Sequence, residues 1–228
     1  MTTATRRLVP LTLLLLALLP AVAGAEGGAP APTGGVPSMV QQSPEQEAIQ
    51  HYNRGVALRD KAWSLEKKAA GATAGERAKL EEKAGKLFAK AAREYTTATA
   101  RNPRLHQAWS DLGYTLRQTG NYNSALGAYN HALALAPDYL EAVEYRGEAY
   151  LGLDRVDDAK QAYLKLFAAD CAKADKLLAA MNGWVEKRRA EPGAVDSTTV
   201  DAVATWVGQR AELATQTAGT AGGQQGSW

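Results

Sequence analysis

Cysteine is, with isoleucine, the scarcest residue of this 228-residue chain, which has only Cys171 and Ile49. One cysteine excludes an internal disulfide and any zinc site built from two or four cysteines of a single chain. Cys171 reads as a small apolar core residue. Histidine is almost as rare. His51, His106 and His131 lie far apart, none in an H-E-x-x-H or similar ligand spacing, so each reads as a surface or seam residue. The nucleophile-elbow pattern G-x-S-x-G, a Walker-type loop and the Rossmann glycines are missing as well. No catalytic residue, cofactor or metal is therefore expected, and the chain is not read as an enzyme. Net charge is lacking too. There are 26 basic and 24 acidic side chains, and two of the basic ones, Arg6 and Arg7, lie in a segment expected to be removed. The balance that remains argues against a nucleic-acid partner.

Long hydrophobic runs are confined to the N-terminus. "MTTATRRLVPLTLLLLALLPAVAGA" has a basic start, an apolar stretch over 8–19 and small residues at A-x-A spacing. Residues 1–25 read as a signal peptide cleaved after Ala23 or Ala25, which predicts an exported, soluble protein, periplasmic or secreted. The rival is a retained anchor, but the stretch is short of the roughly 20 apolar residues needed to span a bilayer and carries Pro10 and Pro20. No stable membrane insertion of the mature chain is expected. Residues 26–43 are rich in Gly, Pro and Ala and read as a flexible linker. The Gly- and Gln-rich 215–228 reads as a disordered tail.

Between these ends no alternating β-branched run appears. Ala, Leu, Glu, Lys, Arg and Gln dominate, and apolar residues recur at three and four, so the fold class is all-α. A shift of thirty-four residues lays Pro103 on Pro137, Gly113 on Gly147, Ala125 on Ala159 and Tyr129 on Tyr163. It also lays Trp109 on Val143, Leu116 on Tyr150 and Ala132 on Leu166, whereas Leu112 meets Arg146. This is an internal repeat. Small Gly113 and Ala125 let two helices approach, and Trp109, Leu116, Tyr129 and Ala132 fill the seam between hairpins. Gly120 with Asn121 turns the chain, and Pro137 stops the second helix. Trp109, Leu112, Gly113, Ala125, Tyr129, Ala132 and Pro137 resemble the tetratricopeptide repeat family at its own spacings, with Leu116 in place of the usual Tyr. Gly147, Tyr150, Ala159 and Tyr163 carry a second copy.

The resemblance implies a right-handed α-α superhelix of helical hairpins with repeats at 106–139 and 140–171. A third, altered copy precedes them over 44–103. There Gly55 and Tyr95 take repeat positions and about thirty added residues, bent at 69–75, lengthen both helices into a hairpin projecting beyond the array. Ser43 and Pro44 start it. Residues 172–214 are expected to form C-terminal capping helices, with Leu177, Leu178, Met181, Trp184 and Val185 on one face, then Val200, Val203 and Val207 on a helix capped by Asp196 or Ser197.

The family further implies a protein-binding concave face lined by the first helix of each repeat. By that alignment its residues are Gln107, Ser110, Tyr114 and Arg117, then Glu141, Glu144, Glu148 and Leu151. The three glutamates, at i, i+3 and i+7, form one acidic stripe. A protein or peptide partner with basic or amide-rich segments is the expectation. Self-association, giving a homo-oligomer through the long hairpin or the C-terminal helix, and a passive structural spacer remain the alternatives.

Overall fold

The computed structural model describes residues 42–191 and 195–222, with the side chains of 215 and 217–222 outside the description. The signal segment 1–25 and nearly all of the 26–43 linker fall outside it. Among the described residues there are eight helices and no strand. They are α1 (Pro44–Ala69), α2 (Ala74–Arg101), α3 (His106–Gln118), α4 (Tyr122–Leu135), α5 (Leu140–Gly152), α6 (Val156–Ala169), α7 (Cys171–Ala190) and α8 (Ser197–Gly222).

Local chemistry explains where each helix begins and ends. Pro44 opens α1, with Glu45 and Glu47 in the first turn, where the helix dipole favours acids. At the start of α2 the Glu76 carboxylate accepts from the Thr73 hydroxyl (2.7 Å) and its N–H (3.3 Å). Gly120 turns the chain between α3 and α4 with φ 79°, a left-handed conformation natural to glycine. α4 ends two residues before Pro137. Of the two candidate caps for α8 it is Asp196 that serves, accepting from the Thr199 N–H at 2.8 Å.

Successive helices pack in pairs α1/α2, α3/α4, α5/α6 and α7/α8. Each second helix also packs on the first helix of the next pair. The fold is thus all-α, a superhelix of helical hairpins. The first helices α3, α5 and α7 touch one another as well, which makes them the inner layer. The cores run along the seams: Phe88, Tyr95 and Leu112 at one end, Tyr129 and Leu126 in the middle, and Val143, Leu166, Leu177, Met181, Val185 and Val203 at the other.

Four expectations change. Forty residues separate Gly55 from Tyr95 where sixteen separate Gly113 from Tyr129, so the first hairpin gains twenty-four residues rather than thirty. Nor is that addition all projection, because Trp63, Ala62, Ala84 and Phe88 close over Tyr114 of α3. Cys171 is exposed, not core, because it opens α7 beside the capping Asp170 rather than lying inside a helix face. Finally α8 runs through Gly222, past the expected end at 214. Ala211, Ala214, Ala218 and Ala221 favour extending a helix already nucleated upstream, so 215–222 is not a disordered tail; 223–228 lie outside the described residues.

Candidate functional site

The inner layer begins with a buried ion pair that the sequence concealed. Small residues Ala48, Gly55, Ala62 and Ala69 repeat every seven positions along α1 and let α2 approach, and Arg59 lies on the same buried face. Its guanidinium, 2% exposed, donates to the Asp111 carboxylate of α3 at 3.0 Å, itself 1% exposed. Tyr52 donates to the same carboxylate oxygen at 3.1 Å, Asp60 accepts from Arg59 on the other side, and the Trp63 ring lies 4.3 Å beneath the cation. Burial alone would lower the Arg59 pKa. The Asp111 and Asp60 carboxylates outweigh it, so the net shift is upward and the charge is held.

Tyr114 stands next along this layer. Its hydroxyl accepts from Trp63 Nε1 (2.6 Å) and Gln118 (2.8 Å), while its ring meets Trp63, Phe88 and Tyr145 edge-on at 5.5, 5.9 and 5.1 Å. The Arg117 guanidinium sits 5.1 Å from the Tyr114 ring and 5.8 Å from Tyr145, and pairs with Glu148 at 2.7 Å. Burial raises the pKa of the Glu148 carboxyl against the pull of Arg117, and raises that of Glu144 against Lys176.

The implied concave residues therefore divide. Gln107, Arg117, Glu141 and Glu148 are half-buried and reach solvent. Ser110 (0% exposed), Tyr114 and Glu144 (4% exposed) do not, which corrects their reading as contact residues. The lengthened arm of α1 and α2 covers Tyr114, and close packing of α3, α5 and α7 buries the other two. Nor is the acidic stripe free: Lys173 of α7 approaches Glu141 at 3.4 Å and Arg117 takes Glu148. Leu151 is buried in the wall of a cavity of about 290 Å³ at the ends of α3, α5 and α7, with Arg117, Tyr122, Glu148, Trp184 and Lys187 around it.

That cavity depends on a turn residue. Asp154 occupies the position thirty-four residues after Gly120 and shares its left-handed backbone, φ 57°. Its carboxylate accepts from Trp184 Nε1 (2.8 Å) and from Arg188 Nε (2.8 Å) and NH2 (2.6 Å), so the α5–α6 turn grips α7. A larger groove, about 840 Å³, runs between α7 and α8, with Leu178, Val185, Ala204, Val207 and Ala211 among its lining.

Residues 76–139 and 110–172 each match the tetratricopeptide repeat family. The chain carries tetratricopeptide repeats. Arrays of this repeat are protein-interaction scaffolds. No curated protein gives a match. The repeat's packing residues lie where the fold needs them. Leu112, Gly113, Ala125, Tyr129, Ala132, Gly147, Ala159 and Tyr163 are buried, Trp109 and Tyr150 half-buried, and exposed Pro137 acts only as a stop. A Cβ on Gly113 would meet the Tyr129 ring at 2.6 Å, and one on Gly55 would meet Tyr95 at the same distance, so α1/α2 repeats the contact that closes α3/α4. The third hairpin departs from this. Leu177 of α7 fills the notch at Gly147, while Tyr163 turns to Trp206 of α8, 5.2 Å away. α7/α8 is thus a fourth hairpin that supplies core to the third, beyond a cap.

Proposed function

We propose that this chain is a non-catalytic scaffold of the cell envelope that holds an extended segment of another protein along its inner layer. The observation that carries this reading is the cavity of about 290 Å³ at the ends of α3, α5 and α7. Leu151, Tyr122 and Trp184 give it apolar patches, while Arg117, Glu148, Lys187 and Arg188 make most of its lining polar with both signs of charge. That combination suits one anchoring side chain of a peptide flanked by polar backbone. With Glu141 and Glu148 already drawn to Lys173 and Arg117, a basic segment has to compete with these cations, so shape takes a larger share of recognition than charge. A non-catalytic role fits the separate engagement of the histidines: His51 with Glu94, His106 against Tyr139 and His131 against Trp109. Among the described residues no cluster of His, Cys, Asp and Glu could hold a metal, and no helix is long and apolar enough to cross a membrane. The envelope location rests on the leader in the sequence.

Gly183 lines the same cavity, and a Cβ there meets nothing within 4 Å. Gly183→Trp is therefore expected to fill the cavity while leaving helicity and melting temperature unchanged. Crosslinking and affinity capture from an envelope extract should return a partner with the unaltered chain and lose it with Gly183→Trp. A partner kept by both chains would overturn the reading. The α7–α8 groove favours a second reading, self-association through the terminal hairpin. Molar mass that rises with concentration, and no longer does so with Gly208→Trp in that groove, would establish it.

A further inference from the structure

The face of α2 that points away from its own core carries a stripe of cations, with Glu82 beside it. Lys79, Lys83, Lys86, Lys90 and Arg93 follow at intervals of four, three, four and three, and all five are exposed. At 100° per residue this spacing keeps them on a single stripe, about 21 Å long. Ala84, Phe88, Ala91, Tyr95 and Ala98 occupy the opposite, buried side. Among the described residues Lys86 pairs with Glu82, which also attracts Lys83, while Lys79, Lys90 and Arg93 form no ion pair.

We propose that this outward face of α2 is a peripheral docking surface for a bilayer with anionic headgroups. The proposal concerns a different face from the inner-layer cavity and stands independently of it. Charge complementarity selects the occupant. Four of the five cations are lysines, compact and well hydrated, on flexible stems along a straight helix; they suit a plane of many equivalent phosphates. The stripe itself includes no aromatic or aliphatic side chain to anchor a specific acidic peptide. A second copy of the chain is a poorer match, because six of its acids already pair with its own cations and the exposed ones left over, such as Asp138 and Asp175, are scattered: Asp154 pairs with Arg188, Asp157 with Lys160, Asp158 with Arg155, Asp170 and Glu141 with Lys173, Glu148 with Arg117. The N-terminal segment, read from the sequence as an export signal, would also bring the chain to a membrane, whether cleaved there or retained.

The test is co-sedimentation of the full chain with vesicles of phosphatidylcholine alone and of phosphatidylcholine mixed with phosphatidylglycerol. A retained leader would add equally to both, so the difference between them is the readout. The mixed vesicles should bind more chain, and raising salt from about 0.1 to about 0.5 M should remove that excess. Each cation near such a surface is worth roughly fivefold in partition. The combined change Lys79→Glu, Lys83→Glu, Lys90→Glu, Arg93→Glu should therefore cost on the order of a hundredfold or more. The same number of reversals at Arg54, Lys61, Lys67 and Lys68 of α1 should cost distinctly less. Equal binding to both vesicles by the unaltered chain would overturn the proposal, as would salt-insensitive excess binding. Equal loss from the α1 and α2 reversals would assign the effect to overall charge, and capture of an acidic protein without vesicle binding would replace the bilayer with that partner.

Discussion

At Gly113 a single methyl group decides whether two helices can meet. A Cβ there would sit 2.6–2.9 Å from three carbons of the Tyr129 ring, and that ring is fully buried and has no free direction in which to yield. Gly113→Ala is expected to cost about 2–3 kcal/mol through overpacking, against its gain in helix propensity. Gly85, inside α2, provides the contrast, since a Cβ there meets nothing within 4 Å. Gly85→Ala should therefore stabilise by about 0.5–1 kcal/mol. Urea unfolding of the two variants reads both signs, and a shared sign would refute the steric account. Gly113 and Tyr129 were legible in the sequence because the thirty-four-residue shift repeats both. Arg59 was not, because a charged residue at helical spacing is ordinarily solvated. A signal did exist: Arg59 falls four residues after Gly55 and three before Ala62, on the seam of small residues.

Between elements, the junction of α1 and α3 depends on charge buried at Arg59 and Asp111. Each partner is tolerable inside because the other is there, with Tyr52 and Asp60 taking further hydrogen bonds. Arg59→Met leaves the Asp111 carboxylate buried without its cation and should cost about 3–5 kcal/mol. The paired change Arg59→Met with Asp111→Leu removes both charges and should restore much of the loss, so a double-mutant cycle in urea ought to show strong coupling. Additive losses would mean that the pair does not hold the two helices together. Helix ends were easier to foresee than this junction. Pro44, Gly120, Pro137 and Asp196 act through their own backbone or cap chemistry, which the sequence displays directly. Closure of the long arm over Tyr114 depends on Trp63 and Phe88 meeting a residue fifty-one and twenty-six positions away, a long-range contact that no periodicity announces.

Across the whole array each hairpin touches its neighbours and little else, so stability should be divided along the chain as it is in other helical repeats. The α7/α8 end holds the largest core, where Val200, Val203 and Val207 of α8 join Leu178, Met181 and Val185 of α7 and Leu166 of α6. The first hairpin and α3 draw on separate clusters built around Phe88, Tyr95 and Leu112. The role of α7/α8 as a fourth hairpin was hidden because the repeat's Gly, Tyr and Pro markers lapse after residue 171, leaving only amphipathic periodicity to read. A chain ending at Ala190 strips α8 from Val185 and Leu178 and exposes apolar surface that no polar outer face replaces. Such a chain should bind a hydrophobic dye, melt at a lower temperature and lose amide protection in α5, α6 and α7. Amides of α1 to α4 should keep theirs, because the contacts that protect them do not pass through α8. Uniform loss of protection over all helices would instead make the array one cooperative unit, with energy spreading well beyond nearest neighbours.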